Sequence, residues 1–308
     1  MIKPKVAVMG SFVVDLMART PHLPVVGETV KGSLFKMGPG GKGSNQGVSA
    51  QRSGSDVTMI TKIGQDVFGD IACNNFLKEK MNLTYVFRDE EKETGTALIM
   101  VDENTSDNKI LVTLGACGNL TKENIEKTKE VIESSDVFLT QLETNMDAVT
   151  QAIDIAYNKD IPVILNPAPI QEIPDGLLKK VYILTPNETE AAALTGIKVE
   201  TLEDAKESAK ILKRKGAHNV IITMGSKGAL IATKDSEIWV ESLKVNAIDT
   251  TGAGDAFNGA LATALAEGKN IEQAAIFANA AAAISVTRMG TAVSMAYKDE
   301  IETLLNTK

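Results

Sequence analysis

VFLTQLETNMDAVTQAIDIAYNKDIPVILNPAP, residues 137–169, carries the alternation that decides the fold. VFLTQLE (137–143) and PVILNPAP (162–169) are short apolar runs that read as buried strands, and MDAVTQAIDIAYNKD (146–160) between them is an amphipathic helical stretch. Strand, helix and strand in that order form a crossover that leaves the two strands parallel and covered on both faces. The same rhythm extends outward in both directions. KVAVMG (5–10), VTMITKIG (57–64), VYILTPNE (181–188) and VIITMG (220–225) read as further buried strands. NIEKTKEVIESS (124–135) and LEDAKESAKILKRKGA (202–217) read as helices. The expectation is a single α/β domain over 1–308, with a mostly parallel central sheet between two helical layers.

Two segments break the rhythm. ETVKGSLFKMGPGG (28–41) and GTALIMVDENTSDNKILVTLGA (95–116) are strand-like with no helix between, and DENTSDN reads as the turn of a hairpin. Together with the residues from about 12 they predict a small β-sheet, built from 12–41 and 95–116, that projects from the main domain. Such a sheet is either a flap over a cleft or an edge sheet that only packs. No internal repeat or low-complexity linker interrupts the chain.

Composition narrows the function. The 308 residues are 44% hydrophobic and 23% charged, which is ordinary for a globular chain. A formal charge of −8 and the absence of a basic stripe count against nucleic acid as a partner. The densest basic cluster, Lys213, Arg214 and Lys215, reads as a helix C-terminus, where cations suit the dipole. Cys73 and Cys117 are too few for a disulfide framework or a zinc site and read as reduced core thiols of a cytoplasmic protein. His22 and His218, the only histidines, exclude a multi-histidine metal centre. No signal-peptide core opens the chain and no run of about 18 apolar residues occurs, so no membrane span is expected.

GPGGKGSN (38–45) fits G-x-G-x-x-G through Gly38, Gly40 and Gly43. It fails as a dinucleotide loop, because such a loop closes the first strand–helix turn and here the first strand ends near Gly10. It also fails as a phosphate loop of the Walker type, because Lys42 is followed by Gly43. The stretch does lead into a helix, SNQGVSAQRSG (44–54), so its backbone N–H groups could approach an oxygen-rich ligand, with Lys42 and Asn45 as further donors. A plain glycine turn with an exposed lysine satisfies the same spacing.

DTTGAGDAFNGALATALAEG (249–268) is the second glycine-rich site. A strand, LKVNAID (243–249), is expected to end at a turn of small residues, with a helix starting at about Gly254. The backbone N–H groups of Ala253, Gly254 and Asp255 can then converge on one anion. A carboxylate in that turn repels an anion unless it acts as a base that takes a proton from a hydroxyl while the N–H groups hold a phosphoryl group. The simpler alternative is a first-turn helix acid.

GGKGSNQ (40–46) and DTTGAGDAF (249–257) together resemble the two signatures of the ribokinase, or PfkB, carbohydrate kinases. The resemblance covers essentially the whole chain through LNPAP (165–169), TPNETE (185–190), ITMGSKGAL (222–230) and AAAAISVTRMGT (280–291), and it is nearest to ribokinases and deoxyribokinases. It implies a ribokinase-like three-layer α/β sandwich with a β-sheet lid through which two subunits pair. It implies ATP-dependent phosphorylation of the 5-hydroxyl of a pentose, D-ribose or 2-deoxy-D-ribose. By the resemblance, Asp255 is the base, and Gly252, Ala253 and Gly254 form the anion hole. Asp15, Gly41, Lys42, Gly43, Asn45 and Glu143 contact the sugar. Asn187 and Glu190 organise Mg2+ and phosphates, and Thr223, Gly225, Ser226, Gly228 and Asn279 line the ATP pocket beside Gly254. Asp249, Thr251, Ser285, Arg288, Gly290 and Ser294 match the shell of a monovalent cation, K+. Oxygen-only ligation suits both ions, so the shortage of histidine and cysteine is no handicap.

One position departs from the pattern. Ribokinases carry asparagine two residues before the first sugar-binding aspartate, whereas VMGSFVVDLM places Val13 there, as deoxyribokinases place an apolar residue. Residues 13 and 15 of a strand face the same side. Val13 either leaves a sugar hydroxyl without a partner, which favours 2-deoxyribose, or merely packs. Two rival functions are a PfkB-type kinase for another sugar and a catalytically silent sugar- or nucleotide-binding regulator. The intact Asp255 and its glycines argue against the silent protein.

Overall fold

A computed structural model describes residues 3–105 and 107–307. The chain begins with β1 (Lys5–Met9), β2 (Val13–Thr20), β3 (Leu34–Gly40) and α1 (Lys42–Arg52), then β4 (Asp56–Gly64), α2 (Val67–Lys78) and β5 (Asn82–Asp89). A hairpin follows, β6 (Thr94–Asp102) and β7 (Asn108–Gly115). The middle of the chain holds α3 (Lys122–Lys127), α4 (Lys129–Glu133), β8 (Val137–Gln141), α5 (Met146–Asn158), β9 (Val163–Asn166) and β10 (Ile183–Leu184). Next come α6 (Glu188–Thr195), α7 (Leu202–Arg214), β11 (Asn219–Thr223), β12 (Gly228–Ala232) and β13 (Glu237–Glu241). The chain closes with α8 (Ala253–Ala266), α9 (Ile271–Ser285) and α10 (Lys298–Asn306).

The central sheet has nine strands in the order β13-β12-β11-β10-β9-β8-β1-β4-β5. Every pair from β5 across to β11 is parallel, and only β12 runs against the rest, pairing antiparallel with both β11 and the edge strand β13. Both faces of the inner parallel strands are buried, which explains their uninterrupted apolar sequence. In β1, Val6 and Val8 join the core beneath α1, α8 and α9, while Ala7 and Met9 join the opposite core beneath α5 and α7. The period of two thus feeds two separate hydrophobic layers.

A second sheet, β3-β2-β6-β7, stands apart from the first. Its strands β2 and β3 pair antiparallel, β2 and β6 parallel, and β6 and β7 antiparallel. It leaves the body immediately after β1 and returns directly into α1, so lid and glycine loop are one continuous segment. This is the small sheet expected from 12–41 and 95–116. Within 28–41 only Leu34–Gly40 is strand, and the residues before it form an irregular loop. The hairpin turn is held by Asp102, whose Oδ1 accepts the N–H groups of Asn104 (2.8 Å) and Thr105 (3.1 Å). Ser106 of that turn, like Met1, Ile2 and Lys308, lies outside the described residues.

Three local readings are corrected. LKVNAID (243–249) forms no strand. Its end is anchored instead by the N–H groups of Ile248 and Asp249, which both donate to the Val286 carbonyl, at 2.7 and 3.2 Å. NIEKTKEVIESS is two short helices, because Thr128 turns its hydroxyl onto the Ile125 carbonyl (2.7 Å) and breaks the run. Of the two thiols only Cys117 is buried, where desolvation pushes it up to about 12. Cys73 is half-buried, with Arg88 Nη2 at 3.3 Å from its sulfur. Among the described residues, no helix is long and apolar enough to cross a membrane.

Candidate active site

The site lies at the C-terminal ends of the parallel strands, where α8 begins. Gly252 caps α8 at φ 80°, a left-handed conformation that glycine adopts without strain, and no side chain caps the helix. Ala253 N–H turns back to the Thr250 carbonyl at 3.3 Å. Among the described residues, the N–H groups of Gly254 and Asp255 have no acceptor. The expected convergence of three N–H groups is therefore two free donors plus one that closes the turn. They open into a cavity of about 150 Å³ lined by polar side chains, among them Lys42, Asn166, Asn187, Glu190, Thr223 and Asn258.

Asp255 stands in the first turn of α8 and is buried. Asn45 Nδ2 donates to its Oδ2 at 3.0 Å, and Gln46 Nε2 donates to its Oδ1 at 3.0 Å. Burial pushes its carboxyl above the usual carboxylate range and Glu143 adds to the rise, against the opposing pull of Lys42, Gln46 and Asn45. Asn45 Oδ1 is buried without a donor, an acceptor left for a hydroxyl beside the carboxylate.

The glycine loop delivers Lys42 and Asn45 to this place. Gly41 has φ 89°, and a Cβ there would lie 2.9 Å from the backbone of residues 11–13, so a side chain is excluded. Gly43 packs on Gly10, where a Cβ would come within 2.5 Å of the backbone. No local side chain caps α1. Glu143 does so from across the sheet: its Oε2 accepts the Lys42 N–H at 2.8 Å and the Ser11 hydroxyl. Burial pulls the Lys42 ammonium down, but Asp255, Glu143 and Glu190 outweigh it and hold the group charged.

Asp15, on β2, is half-buried on the lid side. Burial pushes its carboxyl up to about 6, with Glu143 and Asp255 adding to the rise and a hydrogen bond from Thr291 opposing it. Val13 shares its face of β2 and is buried, with a methyl 2.9 Å from where a Cβ of Gly95 would stand.

On the opposite wall Asn187 and Glu190 close a capping box at the start of α6. Glu190 N–H donates to Asn187 Oδ1 (2.8 Å), and Glu190 accepts from Asn187 N–H (2.9 Å) and Nδ2 (3.1 Å). Burial pushes Glu190 upward, while Asn187 and Lys42 pull it down. Thr223 borders the cavity at the end of β11. Gly225, Ser226 and Gly228 lie beyond it in the turn to β12, beside β13. Asn279 is on α9 and donates to the Glu241 carbonyl at 2.7 Å. These four do not border the cavity that holds Asp255.

Asp249 clasps two loops: its Oδ1 accepts Thr251 N–H (3.0 Å) and its Oδ2 accepts Gly290 N–H (2.9 Å). Burial raises its carboxyl, but these N–H donors outweigh that and keep it below the usual range. Ser285 and Ser294 turn their hydroxyls onto the Ala282 and Thr291 carbonyls, each at 2.8 Å, and the Arg288 guanidinium pairs with Glu300. Any cation held here would rest on main-chain carbonyls and on a carboxylate that is already ionised.

Sequence reasoning missed Gln46, Asn166, Asn258 and Thr291. Gln46 stood inside the quoted signature, but nothing in the sequence shows that its amide faces the carboxylate. Thr291 links the loop after Gly290 to the small sheet, its Oγ1 at 3.4 Å from both Asp15 Oδ2 and the Pro39 carbonyl.

The pattern of the pfkB family carbohydrate kinases matches residues 3–297. The chain is 41% identical over 287 residues to a deoxyribokinase of Salmonella typhi, covering 93% of this chain and 94% of the relative. It is 38% identical over 299 residues to a ribokinase of Haemophilus influenzae, covering 97% of each. Among solved structures, the ribokinase of Arabidopsis thaliana complexed with ribose and ATP superposes with a TM-score of 0.90 at 29% identity, covering 99% of both chains.

Proposed function

The chain belongs to the pfkB family of carbohydrate kinases and is an ATP-dependent sugar kinase, and we propose that it phosphorylates the 5-hydroxyl of a pentose, accepting 2-deoxyribose at least as well as ribose. One observation carries the mechanism: a buried carboxylate, held by Asn45 and Gln46, adjoins two unpaired helix N–H groups and faces the Lys42 ammonium. Asp255 takes the proton of the attacking hydroxyl. The Gly254 and Asp255 N–H groups, with Lys42, hold the charge that develops on the transferring phosphoryl group. The upward push of burial brings the base nearer to neutrality, where proton transfer is efficient. Asp15 and the free Asn45 Oδ1 accept sugar hydroxyls. The alternative is a kinase of the same family for another sugar.

Mg2+, when bound, neutralises phosphate charge. Both oxygens of Glu190 already serve Asn187, so this pair suits an ion held through water better than one held directly. K+, when bound, would add positive field beside the α8 turn. The Asp249 clasp fits it, and ADP release faster in potassium than in sodium or a bulky organic cation would show it. The adenosine portion of ATP is assigned to the turn from Thr223 to Gly228 and to Asn279. The outer lid carries exposed Phe35, Met37, Leu98, Ile110, Leu111 and Val112, which suits burial against the lid of a second copy. Cytoplasmic location accords with the reduced thiols.

The test is ADP release and product analysis with ATP, magnesium and a panel of ribose, 2-deoxyribose, fructose and adenosine. Formation of a pentose 5-phosphate is expected. Turnover of fructose or adenosine with neither pentose would overturn the reading.

A further inference from the structure

Beneath Asp255 runs a chain of buried amides that the proton transfer does not itself use. Gln141, at the end of β8, donates from Nε2 to Gln46 Oε1 at 2.7 Å. Gln46 Nε2 donates onward to Asp255 Oδ1 (3.0 Å) and to Asn166 Oδ1 (3.1 Å). Asn166 Nδ2 donates to the Thr185 carbonyl (3.0 Å), and Thr185 Oγ1 donates to Asn258 Oδ1 (2.6 Å). Asn258 Nδ2 closes the path on the Gly254 carbonyl at 2.8 Å, in the first turn of α8.

We propose that Gln141 and Gln46 are positioning residues for the base: Gln46, its flip set by Asp255 and Asn166, holds the ionised Asp255 in place, and Gln141 anchors the Gln46 amide by satisfying its buried oxygen. This rests on the assignment of Asp255 as the base. The direction of every link follows from the donor count. A primary amide has one acceptor oxygen and one NH2 group with two hydrogens. With Gln46 Oε1 accepting from Gln141, both Gln46 hydrogens face Asp255 and Asn166. The reverse flip would set the Gln46 carbonyl against the Asp255 carboxylate and the Asn166 carbonyl, three acceptors with no hydrogen among them. Gln46 and Gln141 are fully buried, so no solvent can relieve that arrangement.

A second observation points the same way. Gln141 Oε1 is buried without a donor. The slot it occupies exists because residue 10 is glycine: a Cβ there would lie 2.0 Å from that oxygen. An apolar side chain of similar length would fill the slot without an unpaired carbonyl, so packing alone does not account for glutamine here. Its NH2 group does, because it satisfies the buried Gln46 oxygen and so anchors the amide that holds Asp255.

The experiment compares wild type with Gln46→Met, Gln141→Met and Asp255→Asn, methionine being an unbranched, adaptable replacement for glutamine. The readout is kcat against pH with saturating pentose and ATP, where the acid limb reports the base in the bound complex. The Gln46 N–H favours the ionised carboxylate, so its loss raises the Asp255 pKa and moves the acid limb upward. The other charged groups around Asp255, namely Lys42, Glu143, Glu190 and Asp15, are the same in both methionine variants. The limb should move up by about one pH unit in Gln46→Met, and less but in the same direction in Gln141→Met, with the KM for ATP changed less than about twofold. Gln141 does not touch Asp255, so a shift in its variant shows that it acts through Gln46. Should Gln46→Met fail to fold, Gln141→Met decides. Folded variants whose acid limbs coincide with wild type overturn the relay while Asp255→Asn still abolishes turnover. If Asp255→Asn retains turnover, the base assignment itself is what fails.

Discussion

Gly40→Ala is the most economical way to disturb the sugar side alone. Gly40 ends β3 and does not belong to the positive-φ glycines, so alanine suits its backbone. Its missing Cβ is nevertheless essential: a methyl there would lie 2.2 Å from Asp15 Oδ1, 2.4 Å from Cγ and 2.5 Å from Oδ2. Carbon and oxygen cannot approach so closely, and the short aspartate side chain has to swing aside. The lid backbone has less freedom, because Gly40 is paired with Val13 and runs directly into α1. Displacing the carboxylate removes at least one charge-assisted hydrogen bond to the sugar, roughly 1.5–3 kcal/mol, or about 10- to 150-fold in sugar KM. On the proposed reading ATP meets the opposite wall, so its KM should stay within about twofold, and the thermal midpoint should move little because Asp15 is only half-buried. Steady-state ADP release with ribose or 2-deoxyribose varied at saturating ATP, then the converse, separates the two constants. A sugar KM within about twofold of wild type, or an equal rise in both constants, would refute the geometry.

Asp255→Asn should lower turnover about 100-fold or more while ATP still binds, as followed by nucleotide titration, because it removes the base and little else. Asp15, pushed up to about 6, is an acceptor-only carboxylate above that pH and carries a proton below it. Sugar KM should therefore rise as the pH falls through about 6, and a flat profile from about pH 8 down to about pH 5 would contradict this. Val13→Asn should shift the kcat/KM ratio toward ribose by roughly two- to tenfold, the worth of one added hydrogen bond. An unchanged ratio would mean that Val13 only packs against Gly95.

Features set by neighbours along the chain were legible in the sequence. The alternation in 137–169 announced the crossover because the period of a buried strand and the period of an amphipathic helix are both local. The turn at Gly252–Asp255 was legible for the same reason: the run of small residues, the helix start and the carboxylate all fall within a few residues. Tertiary structure decided what meets across the fold. Asn45 and Gln46 reach Asp255 across 210 and 209 residues, and Glu143 caps α1 from 101 residues away. A glutamine is ordinarily a surface residue, so only the packing of α1 against α8 revealed Gln46 as a buried donor aimed at the carboxylate. LKVNAID shows the converse. Its composition suits a strand, but it joins neither sheet, and a strand without a partner is only an extended loop.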